Sequence, residues 1–137
     1  MHIQPYLFFE GRCDEALAFY REALGADVTA LMRYKEAPDA PPAGACGNAT
    51  GDHVMHASFR IGDTEVLASD GMANGKPDFR GVALTLVVDG EADARKRFDA
   101  LAREGTVQMP LGKTFFSPCF GMVADRFGVS WMVIGVE

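Results

Sequence analysis

Basic charge is scarce in this chain: thirteen Lys and Arg stand against nineteen Asp and Glu, a formal net charge of −6 at pH 7. Such a balance repels phosphate backbones and anionic membranes unless basic residues are gathered in one place. The densest basic stretch, Arg95, Lys96 and Arg97, is surrounded by Glu91, Asp93 and Asp99, the pattern of a solvated helix face, so neither nucleic acid nor membrane is expected as a partner. Cysteine is sparse too. Cys13, Cys46 and Cys119 are odd in number, widely spaced and never in a CxxC pair, which argues against a disulfide framework or zinc knuckle and for reduced thiols. No basic leader, long apolar run or small-residue cleavage pattern follows Met1, so a cytoplasmic location is expected. P-loop and nucleophile-elbow spacings are absent, which sets aside ATP hydrolysis and α/β-hydrolase chemistry. At 137 residues, 48% of them hydrophobic, the length allows one domain with one sizeable core and no separate cofactor domain.

What is present is a regular succession of short apolar elements. Residues 2–9 read as a strand with Ile3, Leu7 and Phe9 on one face and Pro5 tolerated at an edge or bulge. From Arg12 to Leu24 the apolar positions Cys13, Ala16, Leu17, Tyr20, Ala23 and Leu24 recur at helical spacing, with Asp14 and Glu15 in the first turn and Gly25 as the stop. Residues 26–34 suit a strand. Residues 35–51 hold three of the seven prolines and read as a long surface loop. A hairpin is expected over 53–61 and 64–70, with its turn at Gly62 and Asp63. Residues 81–88 then form a strand and Glu91 to Glu104 a helix buried through Ala94, Phe98, Leu101 and Ala102 and ended by Gly105. Strand segments follow at 106–109, in the run 115–124 and at 129–136, with a turn at Asp125 to Gly128.

The order is βαβββ followed by βαβββ, and sliding the chain along itself supports a duplication. An offset of 79 aligns Gly11 with Gly90, Asp14 with Asp93, Phe19 with Phe98, Ala23 with Ala102 and Val28 with Val107. The shared offset at the strand-to-helix junction carries more weight than any single match.

The stretch FFEGRCDEALAFYREALGA, above all Glu15, Ala16, Phe19 and Tyr20, resembles the first strand, turn and helix of the vicinal-oxygen-chelate, or glyoxalase/bleomycin-resistance/dihydroxybiphenyl dioxygenase, superfamily. PYLFFEG, MHASFRIGDTEVLASD and GTVQMPLGKTFFSPCFGMVADRFGVSW resemble its PhnB-like branch, so the likeness spans nearly the whole chain outside the proline-rich loop. It implies an α+β fold: one glyoxalase-like domain over 1–137, with module one at about 1–70 and module two at about 80–137. Each module would contribute a curved mixed sheet with its helix outside, the sheets forming a ligand cup, commonly in a homodimer.

Members of the wider superfamily hold a divalent metal with His and Glu side chains from four strands. The resemblance places those positions near Pro5, Leu67, Ala83 and Met132, and a shift of one residue in either direction still reaches no His or carboxylate. A divalent ion needs several nitrogen or carboxylate donors within about 2.0 to 2.6 Å, so no metal site and no cofactor are expected. PhnB-like relatives are often labelled 3-demethylubiquinone methyltransferases. S-adenosylmethionine enzymes usually seat the cofactor on a glycine-rich turn after a strand, and no GxGxxG follows any strand here.

His56 is the principal candidate for chemistry. Strand alternation groups it with Val54, Ser58 and Arg60, opposite Met55, Ala57, Phe59 and Ile61, where it is either a base or ligand contact or a structural histidine bonded to a neighbouring strand or to Asp70. Asp70 either orients His56 or a ligand amine at the rim or caps the next turn. Trp131 offers a flat wall for an aromatic ligand or packs in the core, and Phe115, Phe116 and Phe120 carry the same two readings, with core packing favoured. Tyr6 joins His56, Asp70, Trp131 and Phe120 as a candidate ligand contact. Cys119 lacks a neighbour in sequence that would activate a thiol. A metal-independent binder of a small apolar or aromatic molecule is therefore expected. The alternatives are a glyoxalase-like lyase or isomerase with a relocated metal, an acid–base enzyme using His56 and Asp70, and a partner module contacting others through residues 35–51.

Overall fold

The computed structural model describes residues 1–37 and 47–137; most of the expected proline-rich loop, with Cys46, lies outside the described residues. Along the chain run β1 (Tyr6–Phe8), α1 (Cys13–Leu24), β2 (Asp27–Arg33), a 3-10 turn (Tyr34–Glu36), β3 (Val54–Ile61) and β4 (Thr64–Ser69). They are followed by β5 (Ala83–Asp89), α2 (Glu91–Ala102), β6 (Thr106–Gly112), β7 (Cys119–Ala124) and β8 (Ser130–Val136). These elements group into two units, Met1–Asp78 and Phe79–Glu137. Each holds one helix and one four-stranded mixed sheet, ordered β1-β4-β3-β2 in the first unit and β5-β8-β7-β6 in the second.

The shared topology repeats in backbone detail. The offset of 79 pairs Gly11 at φ 103° with Gly90 at φ 87°, so both strand-to-helix turns use a conformation open mainly to glycine. At the helix ends it pairs Gly25 at φ 68° with Glu104 at φ 58°. The left-handed stop of α2 is therefore Glu104, not the expected Gly105. A Cβ on Gly105 would run into the Ala124 carbonyl oxygen, so this glycine serves close packing onto β7.

In the first unit, α1 buries Cys13, Ala16, Leu17, Phe19, Tyr20, Ala23 and Leu24. The Tyr20 ring stacks on Phe59 of β3 at 5.7 Å and lies 6.0 Å from Phe9, so alternate residues of the sheet, including Leu7, Phe9, Ala57, Phe59, Val66 and Ala68, form the helix-facing core. Burying a side chain of this size stabilises by about 1.5–3 kcal/mol. Ile3 was expected to share that face and does not: pairing begins only at Tyr6, after Pro5, which has no N–H to give a ladder, and Ile3 is exposed.

In the second unit, α2 lies close on the sheet because β7 and β8 carry glycine beneath it. A Cβ at Gly121 would come within 2.8 Å of Phe98 and one at Gly135 within 3.2 Å of Ala94. The run expected as strand from 115 begins at Cys119 instead. Thr114 accepts the Ser117 N–H on its hydroxyl at 3.1 Å, closing a turn that turns Phe115 and Phe116 out to solvent.

Candidate functional site

Tyr6 and Phe8 stand on the face of the first sheet opposite α1. They alternate with buried Leu7 on β1 and are 37% and 53% exposed; their rings lie 4.9 Å apart. An open groove of about 470 Å³ runs beside them, lined also by Tyr34, Met55, Met72 and Glu10.

His56 stands at the edge of this arrangement. Its Nδ1 is 3.1 Å from the Tyr6 hydroxyl, and the two rings are 5.7 Å apart. Met32 lies opposite His56 on β2, and the register then slips before Arg33 meets Val54. Such a bulge rotates the local pleat, which accounts for Met55 lining the groove although strict alternation puts it on the helix side, and for Val54 being fully buried.

Asp70 is only 1% exposed and does not orient His56. One carboxylate oxygen accepts the Cys13 N–H at 2.8 Å and the other the Val54 N–H at 2.5 Å. The α1 N-cap position, Arg12, supplies no side-chain cap, so Asp70 satisfies an orphan donor of the helix from 57 residues away and places negative charge at the favourable end of its dipole. A bond of this kind to a charged acceptor is worth about 1.5–3 kcal/mol. The Cys13 thiol beside it is pushed far up, first by burial and then by the Asp70 carboxylate.

A second clip fastens the outer end of the same unit. Arg33 forks onto both oxygens of Asp14 at 2.8 Å and donates to the Asp52 carbonyl at 2.8 Å. The hydrogen bond from Arg33 holds the Asp14 carboxyl below the usual carboxylate range, against a smaller opposing effect of burial.

Trp131 and Phe120 belong to the second unit. Trp131 is buried and its indole N–H donates to Asp125 at 2.9 Å, while the other Asp125 oxygen accepts the Phe127 and Val129 N–H groups. Phe120 is buried under Phe116, whose ring meets it edge-on at 5.0 Å. The structure thus brings Tyr6 and His56 together, buries Asp70 as a hydrogen-bond acceptor for Cys13 and Val54, and buries Trp131 and Phe120 in the second unit.

Glu10 escaped sequence reasoning. Its backbone sits at φ 53°, a left-handed conformation that costs a side-chain-bearing residue roughly 1–2 kcal/mol. Its carbonyl accepts the Gly75 N–H at 2.7 Å and its carboxylate the Met72 N–H at 3.3 Å. Gly71 makes room for that carboxylate, because a Cβ there would collide with it. The signal available in sequence was the Glu-Gly pair at the strand-to-helix turn.

At the four positions to which the resemblance assigns the superfamily's metal ligands, the chain carries Pro5, Leu67, Ala83 and Met132. None matches the nitrogen and carboxylate donors that a divalent cation of this kind requires. The Pro5 carbonyl is occupied by the Leu67 N–H at 2.9 Å. Among the described residues, no three His, Cys, Asp or Glu side chains gather as a metal-binding group, and no helix is long and apolar enough to cross a membrane.

Two four-stranded mixed sheets, each with one helix, define the glyoxalase/bleomycin-resistance class of fold. A glyoxylase/bleomycin resistance protein/dioxygenase domain from Frankia shares that fold at TM-score 0.64 and 14% identity, over 99% of this chain and 95% of that one. Within the class, the chain belongs to the PhnB-like family described as 3-demethylubiquinone-9 3-methyltransferase, which residues 1–134 match. It is 33% identical over 138 residues to protein YjdN of Escherichia coli, covering 97% of this chain and 94% of YjdN. The crystal structure of PA1353 from Pseudomonas aeruginosa is similar at TM-score 0.84 and 39% identity, covering 99% of this chain and 98% of that one. A PhnB protein from Bacillus cereus is similar at TM-score 0.80 and 28% identity, over 99% and 100% of the two chains. Each strand-to-helix turn of this chain, Glu10-Gly11 and Asp89-Gly90, contains a single glycine, which is not the glycine-rich seat usual for S-adenosylmethionine.

Proposed function

We propose that this protein is a metal-independent binder of a small organic molecule, working in the cytoplasm as a homodimer, with the groove beside Tyr6 and Phe8 as its contact surface. The observation that carries the reading is the exposure of two adjacent aromatic rings at the edge of a groove of about 470 Å³. Exposed rings beside a concavity are a ready source of binding energy, since a ligand removes apolar area from water while meeting the ring faces. The hydrocarbon side chains at the superfamily's ligand positions support binding without a metal.

Titration with the neutral fluorophore N-phenyl-1-naphthylamine tests this. Saturable, blue-shifted emission is expected, with affinity lowered about tenfold or more when Tyr6 and Phe8 are both changed to Ala. Emission that never saturates, or a double variant that binds equally well, would overturn the assignment. Light scattering of the eluting peak checks the dimer.

One contact favours a second reading. The Tyr6 hydroxyl on His56 Nδ1 at 3.1 Å is the geometry in which a phenol and an imidazole exchange a proton, so acid–base catalysis would run through this pair and not through Asp70. A reaction found for the protein that is unchanged in both His56→Ala and Tyr6→Phe would eliminate it.

A further inference from the structure

We infer that the groove selects ligands bearing a bulky, weakly hydrated organic cation, such as an alkylated ammonium, with Glu10 as its counter-ion and the rings beside it as its wall. The inference rests on the binding role proposed above and adds the charge and chemical class of what is bound.

The Glu10 carboxylate stands at the groove without a cation of its own. Its side chain accepts one backbone N–H, that of Met72, and no Lys, Arg or His among the described residues pairs with it. Residues 38–46 contain no basic side chain that could do so. In the same unit Asp14, Asp52 and Glu15 are matched by Arg33, Lys35 and Arg12, while Asp70 and Glu36 accept backbone N–H groups; of these unmatched acids, Glu10 is the one that lines the groove. Glu10 is held in its place at the cost of a left-handed backbone, and Gly71 is left bare to accommodate its carboxylate. Strain that persists at a cleft calls for a compensating role.

The remainder of the groove fixes the kind of cation. Tyr6, Phe8 and Tyr34 offer π faces, and Met55 and Met72 offer polarisable thioethers; both attract a diffuse positive charge. A compact divalent ion needs six or more oxygen ligands and would find one carboxylate. An anion would meet Glu10 and a chain of net charge −6, which repels it at long range and draws cations in.

The test uses the full-length protein and two probes of equal shape, benzyltrimethylammonium and its neutral carbon analogue neopentylbenzene, each titrated while backbone amide resonances are followed. The cation is expected to bind about tenfold more tightly at low salt, with the advantage shrinking as salt rises. In Glu10→Gln, which keeps side-chain length, the ratio of the two affinities should fall toward one and lose its salt dependence. If that variant fails to fold, the salt dependence of the wild-type ratio decides. Equal affinity for the two probes in the wild type would overturn the cation inference and leave the binding role standing. Absence of any response from either probe at Tyr6, Phe8 and Met72 would overturn both.

Discussion

The hydroxyl of Tyr6 lies 3.1 Å from Nδ1 of His56, joining the side chains of the first and third strands across the fourth, which runs between them. The contact ties the candidate acid–base group to the rim of the groove and orients the imidazole.

A phenol is a better proton donor than a neutral imidazole, so Tyr6 is expected to donate to Nδ1 and leave the ring proton on Nε2. Long-range proton–nitrogen NMR on the neutral imidazole should show the Nε2–H tautomer in clear excess, and Tyr6→Phe should return it toward a mixture without lowering the melting temperature appreciably. A dominant Nδ1–H form would reverse the direction of the bond.

Asp70→Asn is expected to lower stability by about 2–3 kcal/mol, since the amide can accept only one of the two bonds and turns a donor toward another donor. Urea unfolding followed through Trp131 measures the loss. A change below about 0.5 kcal/mol would show that the clamp between the start of α1 and the start of β3 is dispensable.

The two glycines that follow the helices should respond differently to alanine. Gly25 has open space around its missing Cβ but sits at φ 68°, so Gly25→Ala should cost about 1 kcal/mol of conformational strain. Gly105→Ala should cost more, about 1–3 kcal/mol, because the added methyl meets the Ala124 backbone, which has nowhere to move. Equal melting temperatures for the two variants would contradict this division.

Burial and Asp70 raise the Cys13 pKa in the folded state, whereas an unfolded thiol ionises near about 8.5. Above that pH the folded state binds one proton more than the unfolded state, so stability should fall with rising pH by up to about 1.4 kcal/mol per unit. The fall should be shallower in Cys13→Ala, measured by denaturant titration at several pH values; parallel curves would remove Cys13 as the cause. In a Cys46→Ser background, buried Cys13 and Cys119 should remain inert to aromatic disulfide reagents until the protein unfolds.

An acid limb is expected from the opposite shift. Asp14 is held below its ordinary range by Arg33, so it contributes stability above the unfolded carboxylate pKa that is lost as the pH falls through the lower, folded value. The pair is largely exposed, which keeps the effect small and salt-sensitive. Arg33→Gln should flatten the acid limb in low salt and change little at high salt.

The element order, both amphipathic helices, the hairpin at Gly62 and the duplication were legible in the sequence because each depends on the spacing of apolar residues and on turn chemistry within a few positions. The roles of single polar residues were not. Asp70 stands 14 residues from His56 along the chain, yet its oxygens turn to the N–H groups of Cys13 and Val54; Tyr6 meets His56 from 50 residues away. Only the folded chain decides such pairings, because a hydrogen bond depends on the last ångström of approach between distant segments, which no local pattern encodes. Glu10 combines the two: its residue type is written in the chain, but its left-handed backbone and the bond from the Met72 N–H to its carboxylate arise where β1, Gly71 and Met72 converge.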